Sequence, residues 1–165
     1  MDLAERIASA ALVPRGWHVD SELEDGGPLN TRVLDRIAAV LILLFDVGHS
    51  ASLPWSDPGW KVDLGPMRSS RFDVLGFSRT YWDFYVGFGL FVSLFLLLAA
   101  ILAWQLGSLP PQALRNMRWT RWALATSFAA VAVLSCLYFF IVRVAFGVMI
   151  TVCLVAAVAL PERAA

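Results

Sequence analysis

Residues 122–160 form an apolar run of 39 positions that contains a single charged residue, Arg143. One helix of that length would measure about 58 Å, whereas a bilayer core of about 30 Å needs only roughly 20 helical residues. The run is therefore expected to fold back on itself, and a tight turn near residues 140–145, around Arg143, is its natural break. This predicts two membrane spans, at about 122–142 and 144–160.

Two earlier stretches, at 33–53 and 82–106, are nearly as apolar and are long enough to cross a bilayer. Hydrophobic residues make up 59% of the chain, against roughly 45–50% in soluble domains. Helices are expected because each span must satisfy its own backbone hydrogen bonds in lipid. The sequence therefore predicts an all-α fold, an integral membrane four-helix bundle over residues 33–160.

The segments outside the spans have a different composition. Residues 1–32 are predicted to be a weakly ordered N-terminal extension, and 161–165 a short tail. The outer loop, 54–81, is the longest connection, and Pro66 suits the first turn of a short interfacial helix over about 66–75; a plain ordered loop is the alternative. A signal peptide with its apolar part at 37–52 is a rival interpretation of span one, against which Asp46 and His49 argue.

The charges predict an orientation. Four spans place both termini on one side of the membrane, and that side holds eight arginines: Arg6, Arg15, Arg32, Arg36, Arg115, Arg118, Arg121 and Arg163. The other side holds five basic residues: Lys61, Arg68, Arg71, Arg79 and Arg143. The positive-inside rule then predicts cytoplasmic termini in the inner membrane of a bacterial cell. Because the net charge is zero, the expected partner is the lipid bilayer and not nucleic acid.

Ionisable residues at membrane depth are candidates for function, because burying them in lipid is costly. Asp46 and His49 are three residues apart and share a face of span one. Asp83 lies near the outer start of span two, and Arg143 lies at the turn between spans three and four. The predicted topology brings all four to the outer end of the bundle, with His49 and Arg143 as the available partners of Asp46. Arg79, Trp82 and Gly87 complete the candidate binding set, since Gly87 would leave room for a ligand beside Asp83.

Each of these residues also has a structural interpretation. Thr80 and Asp83 have the spacing of an N-terminal helix cap. Arg143 would hold a turn at the interface by extending its guanidinium towards water. Gly89 and Ser93 have the small-xxx-small spacing of helix packing, and Ala125, Ala129, Ala132 and Ser135 offer a partner face on span three.

The sequence favours no metal and no cofactor. A second histidine is missing near His49, and no glutamate lies in any span, so an ion-pair network is the preferred interpretation of the polar cluster. A nucleophile elbow and a phosphate-binding glycine loop are also missing. Cys136 and Cys153 are interpreted as small hydrophobic residues and not as a disulfide.

Two functional hypotheses remain. The first is non-enzymatic binding of a small lipophilic molecule, or of a membrane-protein partner, at the outer polar cluster. The second is a membrane-embedded enzyme that acts on a lipid-like or quinone-like substrate, with His49 as the acid/base. The first is preferred, because one histidine with these carboxylates falls short of a recognised catalytic set.

A resemblance rests on four stretches of the chain: residues 67–76, residues 79–90 with the motif Tyr81-Trp82-Asp83-Phe84-Tyr85, the pair Gly48-His49, and residues 102–105 at the end of span two. These stretches resemble a family of small uncharacterised bacterial membrane proteins with four spans. The resemblance covers about residues 34–160 and implies a four-span fold without assigning an activity. More remotely, the layout is similar to that of DoxX-like membrane proteins, an analogy of fold alone.

Overall fold

The structure, a computed structural model, describes residues 31–52, 61 and 63–160, and most of these residues are helical. Four helices are long: α1 (Thr31–Ser52), α3 (Tyr81–Leu106), α5 (Arg118–Tyr138) and α6 (Ile141–Ala159). Two are short, α2 (Gly65–Ser69) and α4 (Pro111–Asn116), and two strands, β1 (Arg71–Val74) and β2 (Phe77–Thr80), precede α3. The predictions for residues 1–30, for most of the loop 54–62 and for the tail 161–165 lie outside the described residues.

Three of the long helices, α3, α5 and α6, are long and apolar enough to cross a membrane. They indicate a membrane protein. Helix α1 is of similar length, but it carries four charged residues, Arg32, Asp35, Arg36 and Asp46, and because of these charges it is not counted with the other three.

The most polar of the long helices has the most central place. Helix α1 lies between α3 and α6, and α5 packs against α6. The buried face of α1 contains Ala38, Ala39, Ile42 and Phe45, which meet buried residues of all three other long helices. Many of these contacts are made by alanine, and small side chains let helix backbones approach closely. As a result, Asp35, Asp46 and His49 of α1 are covered by the neighbouring helices.

The turn between α5 and α6 differs from the prediction. Helix α5 ends at Tyr138, and α6 begins at Ile141, so Arg143 lies inside the first turn of α6 and not at the break. Phe139 and Phe140 have φ of −131° and −87° with extended ψ. Both conformations are ordinary for residues with a side chain, which explains why the turn needs neither glycine nor proline.

The small residues of α5 have a different partner from the predicted one. Ala132 faces Gly147 of α6, where an added Cβ would lie 3.0 Å from the Ala132 Cα. The close approach of the two helices therefore favours glycine at 147, because a larger residue would press on the backbone of Ala132. The predicted partner of the α5 face, the Gly89–Ser93 stretch of α3, contacts α1 instead.

The outer loop also departs from the prediction of one helix over 66–75. Pro66 lies in the first turn of α2, as expected, but α2 ends at Ser69 and the chain continues as an antiparallel hairpin. Val74 pairs with Phe77, so the turn consists of Leu75 and Gly76, with φ of 51° and 85°. Two positive φ values identify the turn type whose twist matches that of a hairpin, and Gly76 accepts this conformation at little cost.

An ion pair lies at the opposite end of the bundle. Asp35 of α1 is 1% exposed and Arg121 of α5 is 4% exposed, and a guanidinium nitrogen of Arg121 lies 3.2 Å from the Asp35 carboxylate. The same guanidinium donates to the carbonyl of Ala157, near the end of α6. Nearby, Arg36 Nε donates to the carbonyl of Gly107 at 3.1 Å. These contacts tie α1 to the ends of all three other long helices.

We expect Asp35→Ala to lower the free energy of unfolding by about 3–5 kcal/mol, because it leaves the Arg121 charge buried without its carboxylate. Unfolding in mixed detergent micelles measures this. Arg118→Ala, at an exposed position in the first turn of the same helix as Arg121, is the control and should change little. The double variant Asp35→Leu, Arg121→Met should recover stability, since an apolar pair removes both charges. A double variant as unstable as Asp35→Ala would show that the ion pair is not the cause.

Candidate functional site

His49 joins three helices near the C-terminal end of α1. It is 5% exposed, its Nε2 lies 3.0 Å from the carbonyl oxygen of Gly89 on α3, and its Nδ1 lies 3.1 Å from a guanidinium nitrogen of Arg143 on α6. A carbonyl can only accept a hydrogen bond and a guanidinium can only donate one. The ring therefore carries its proton on Nε2, which donates to Gly89, while Nδ1 accepts from Arg143.

Arg143 brings a positive charge into this cluster. Its side chain is half-buried in the first turn of α6, and its guanidinium carbon lies 4.5 Å from the centre of the Phe139 ring. It also interacts electrostatically with Tyr85 of α3. No carboxylate of the described residues forms an ion pair with it. Arg143 therefore donates to a neutral imidazole and lacks an anionic partner within residues 31–52 and 63–160.

Tyr85 supplies a second hydrogen-bond donor, and it interacts electrostatically with Arg143. The ring contacts that of Trp82 with centroids 5.4 Å apart, and the hydroxyl is buried without a hydrogen-bond partner in the described part of the chain. A buried hydroxyl without an acceptor costs stability, so such groups are uncommon. The Tyr85 hydroxyl, which interacts electrostatically with Arg143, is thus a donor for which the described residues supply no acceptor.

A chain of oxygens continues the cluster inwards. Ser50 Oγ donates to the Asp46 carboxylate at 3.3 Å, and Ser50 Oγ and Ser93 Oγ lie 2.8 Å apart. Because Ser50 has one hydroxyl proton, Ser93 is the donor in the second bond. The predicted partners of Asp46 were His49 and Arg143, but these two side chains bond to each other, and the hydrogen bond of Asp46 comes from its own helix.

The contacts to α1 come from one stripe of α3. Tyr85, Gly89 and Ser93 are spaced four residues apart and so share a helix face. Sequence reasoning assigned Gly89 and Ser93 to packing and missed Tyr85 altogether. The spacing of Tyr85 from Gly89 was the available signal, because it places the phenol on the face that packs against α1.

Asp83 has a separate set of partners. Its backbone N–H donates to Thr80 Oγ1 at 3.0 Å, and the Thr80 N–H donates to the Asp83 carboxylate at 2.8 Å. The predicted cap of α3 is confirmed. Asp83 is exposed, and none of its hydrogen bonds among the described residues reaches His49 or Arg143. The structure thus brings His49 and Arg143 together, with Tyr85 as the third member.

The other predicted site residues lie around this cluster. Trp82 is half-buried between the guanidinium of Arg68, 4.6 Å from its ring, and Tyr85. Arg79 is exposed on β2 and donates to the Ser78 carbonyl at 2.8 Å. Nothing lies within 4 Å of a Cβ added at Gly87, so helix packing does not require a glycine there.

Metal ligands and thiols add nothing to the cluster. Among the described residues, no three His, Cys, Asp or Glu side chains are grouped so that they could hold a metal ion. Cys136 and Cys153 are free cysteines, the first exposed and the second half-buried. The chemistry available at the site is therefore hydrogen bonding and charge.

Comparisons with known proteins do not identify the chain. No protein-family model matches it, and neither a curated protein nor a solved structure does. A function must therefore be argued from the geometry of the cluster itself.

We expect Tyr85→Phe to leave the free energy of unfolding unchanged or to raise it by about 1 kcal/mol, because the change removes a buried hydroxyl that lacks an acceptor. Ser93→Ala is the matched comparison on the same stripe, and it should cost about 0.5–1.5 kcal/mol through the lost bond to Ser50. Unfolding of both variants in mixed micelles measures the difference. Equal destabilisation by the two changes would contradict the assignment of the Tyr85 hydroxyl.

Proposed function

We propose that this chain is a multi-pass protein of a bacterial inner membrane, a four-helix bundle of α1, α3, α5 and α6 with both termini in the cytoplasm. Two observations support α1 as the fourth span. Its polar residues Asp35, Asp46 and His49 are all buried, so these three groups are shielded from lipid by the neighbouring helices. It also packs lengthwise against α3 and α6, two helices that are apolar enough to span. The resemblance to four-span bacterial proteins belongs to the same proposal.

Reporter fusions test this topology. A phosphatase or fluorescent reporter fused after Gly65 should report the periplasm, because one span separates Gly65 from a cytoplasmic N-terminus. A reporter fused after Ala165 should report the cytoplasm, because four spans precede it. If both fusions report the same compartment, the four-span arrangement is wrong.

The proposed activity is the binding of a small lipophilic molecule by its polar end at the outer cluster of His49, Tyr85 and Arg143. One observation carries the proposal: the buried Tyr85 hydroxyl has no acceptor among the described residues, and it interacts electrostatically with Arg143, which has no carboxylate partner there. The guanidinium can only donate, and the phenol has a proton to donate. The ligand would therefore offer an oxygen acceptor, either the carboxylate or phosphate of an acidic lipid or the carbonyl of a quinone.

The arrangement of His49 favours binding over catalysis. An acid/base histidine needs a ring nitrogen within reach of the reacting group. Here the Nε2 proton is donated to the Gly89 carbonyl, and Nδ1 accepts from Arg143. His49 is held as a positioning group that orients the Arg143 guanidinium. The enzyme hypothesis would require one of these two bonds to break.

We expect Tyr85→Phe to weaken ligand binding about tenfold, the effect of one lost hydrogen bond of about 1.4 kcal/mol, while the fold is retained. The probes are a spin-labelled fatty acid, which offers a carboxylate, and a short-chain quinone, which offers carbonyls. Binding to protein in lipid nanodiscs is measured by titration. Tyr138→Phe, the same change at an exposed position of α5, is the control.

The two probes separate the two kinds of ligand. Weakened binding of one probe in Tyr85→Phe, with unchanged binding in Tyr138→Phe, identifies the class of acceptor. If neither probe binds the unaltered protein more tightly than it binds Tyr85→Phe, the proposed site is wrong.

A further inference from the structure

The hairpin before α3 has one apolar face. Side chains directly opposite each other in an antiparallel pair point to the same face. Phe72 lies opposite Arg79, and Val74 lies opposite Phe77. The other face carries the polar pairs Arg71–Thr80 and Asp73–Ser78. Apart from Arg79, the first face is wholly apolar, which is unusual for a hairpin on the surface of a chain.

The tip of the hairpin is also apolar, at a backbone cost. Leu75 is 94% exposed and has φ of 51°, in the left-handed region that asparagine and glycine accept far more readily than leucine. Its neighbours Val74 and Phe77 are exposed as well. The chain thus places a large apolar side chain where both water and the backbone disfavour it.

A row of aromatic rings connects this face to α3. The Phe72 ring contacts the rings of Tyr81 and Phe84, each with centroids 5.2 Å apart, and Phe84 contacts Phe88 at 5.5 Å. Phe84 and Phe88 are exposed, and Phe91 and Phe95 continue the same outward surface of α3. In the proposed topology that surface faces the acyl chains, so the apolar face of the hairpin is continuous with a lipid-facing surface.

Three arginines surround the apolar face. Arg79 lies on it, with its guanidinium carbon 5.7 Å from the centre of the Phe77 ring, and Arg68 lies over Trp82. Arg71 begins β1. An arginine next to an aromatic ring can bury its aliphatic stem while its charge stays at the level of the phosphates. Apolar tip, aromatic rings and arginines together are the pattern of an element that lies in a membrane interface.

We propose that this hairpin is an interfacial anchor: Val74, Leu75 and Phe77 enter the outer leaflet, and Arg68, Arg71 and Arg79 contact phospholipid phosphates. The anchor rests on the proposed topology, because it requires the outward surface of α3 to face lipid. It goes beyond that topology by assigning a lipid-binding surface to the long outer connection. A membrane-inserted tip also accounts for leucine at a positive φ. Asparagine or glycine would suit the backbone better, but neither would supply an apolar contact with the acyl chains.

The depth of a fluorescent label in the bilayer tests the proposal. In the full chain with Cys136→Ala and Cys153→Ala, single cysteines at Leu75→Cys, Ser78→Cys and Phe95→Cys carry an environment-sensitive fluorophore. The protein is reconstituted in phosphatidylglycerol-containing vesicles with spin-labelled lipids. We expect lipid quenching at position 75 at a depth of about 5–10 Å below the headgroups, deep quenching at position 95 and little at position 78, which lies on the polar face.

The three positions separate the possible results. Quenching at 95 with equal, weak quenching at 75 and 78 overturns the anchor and leaves the topology intact. Weak quenching at all three positions overturns both. A label at 75 that is shielded from aqueous iodide but not reached by the lipid quencher points to a protein contact and also overturns the anchor.

A second variant removes the concern that the fluorophore itself inserts. Leu75→Asn suits the left-handed turn better than leucine does, so a hairpin in water should exchange its amide hydrogens more slowly after this change. An anchored hairpin should instead exchange about tenfold faster over residues 71–80, because it loses its hold on the membrane. Hydrogen exchange in nanodiscs measures the direction of the change. Slower or unchanged exchange overturns the proposal.

Discussion

The arrangement of the long helices depends on the buried polar residues of α1. Asp35, Asp46 and His49 are all buried, and a polar group buried away from water is costly unless another group bonds to it. A helix with such residues at both ends needs cover along its whole length. Its place between α3 and α6 provides that cover, and the alanines on its buried face let both neighbours approach closely.

The two ends of α1 solve this problem in different ways. At one end Asp35 meets Arg121, whose guanidinium also reaches the Ala157 carbonyl, so a negative charge and a positive charge are buried together. At the other end His49 meets Arg143, and a neutral imidazole does not cancel a positive charge. In the first cluster the two opposite charges neutralise each other, so we interpret this cluster as structural. The second has donors in excess, which is the property that supports a ligand site.

The two donors of the cluster, Tyr85 and Arg143, each lie close to the start of a helix. Thr80 and Asp83 satisfy the first turn of α3, so Tyr85, one turn further on, is placed firmly on the face that packs against α1. Arg143 is placed with similar precision because α6 starts only two residues before it, after the extended pair Phe139–Phe140. Two helix starts thus position the two donors from opposite sides of His49.

Local chemistry in the sequence was enough for several features. The long apolar stretches, the cap of α3 and the proline at the start of α2 all follow from residues close together in the chain. The concentration of His49 and Arg143 at one end also followed from counting residues along predicted helices. The hairpin at 71–80 was missed, because the one expected helix over 66–75 included all of β1.

The sequence by itself determined which segments form long apolar helices and which polar residues those helices carry, since length and hydropathy are properties of single segments. Only the tertiary structure decided which polar residues meet: Asp35 with Arg121, His49 with Arg143, and Tyr85 beside them. The physical reason is that a hydrogen bond between helices depends on the rotation and the neighbours of each helix. Those are settled by packing of small residues, such as Gly147 on Ala132, across long separations in the chain.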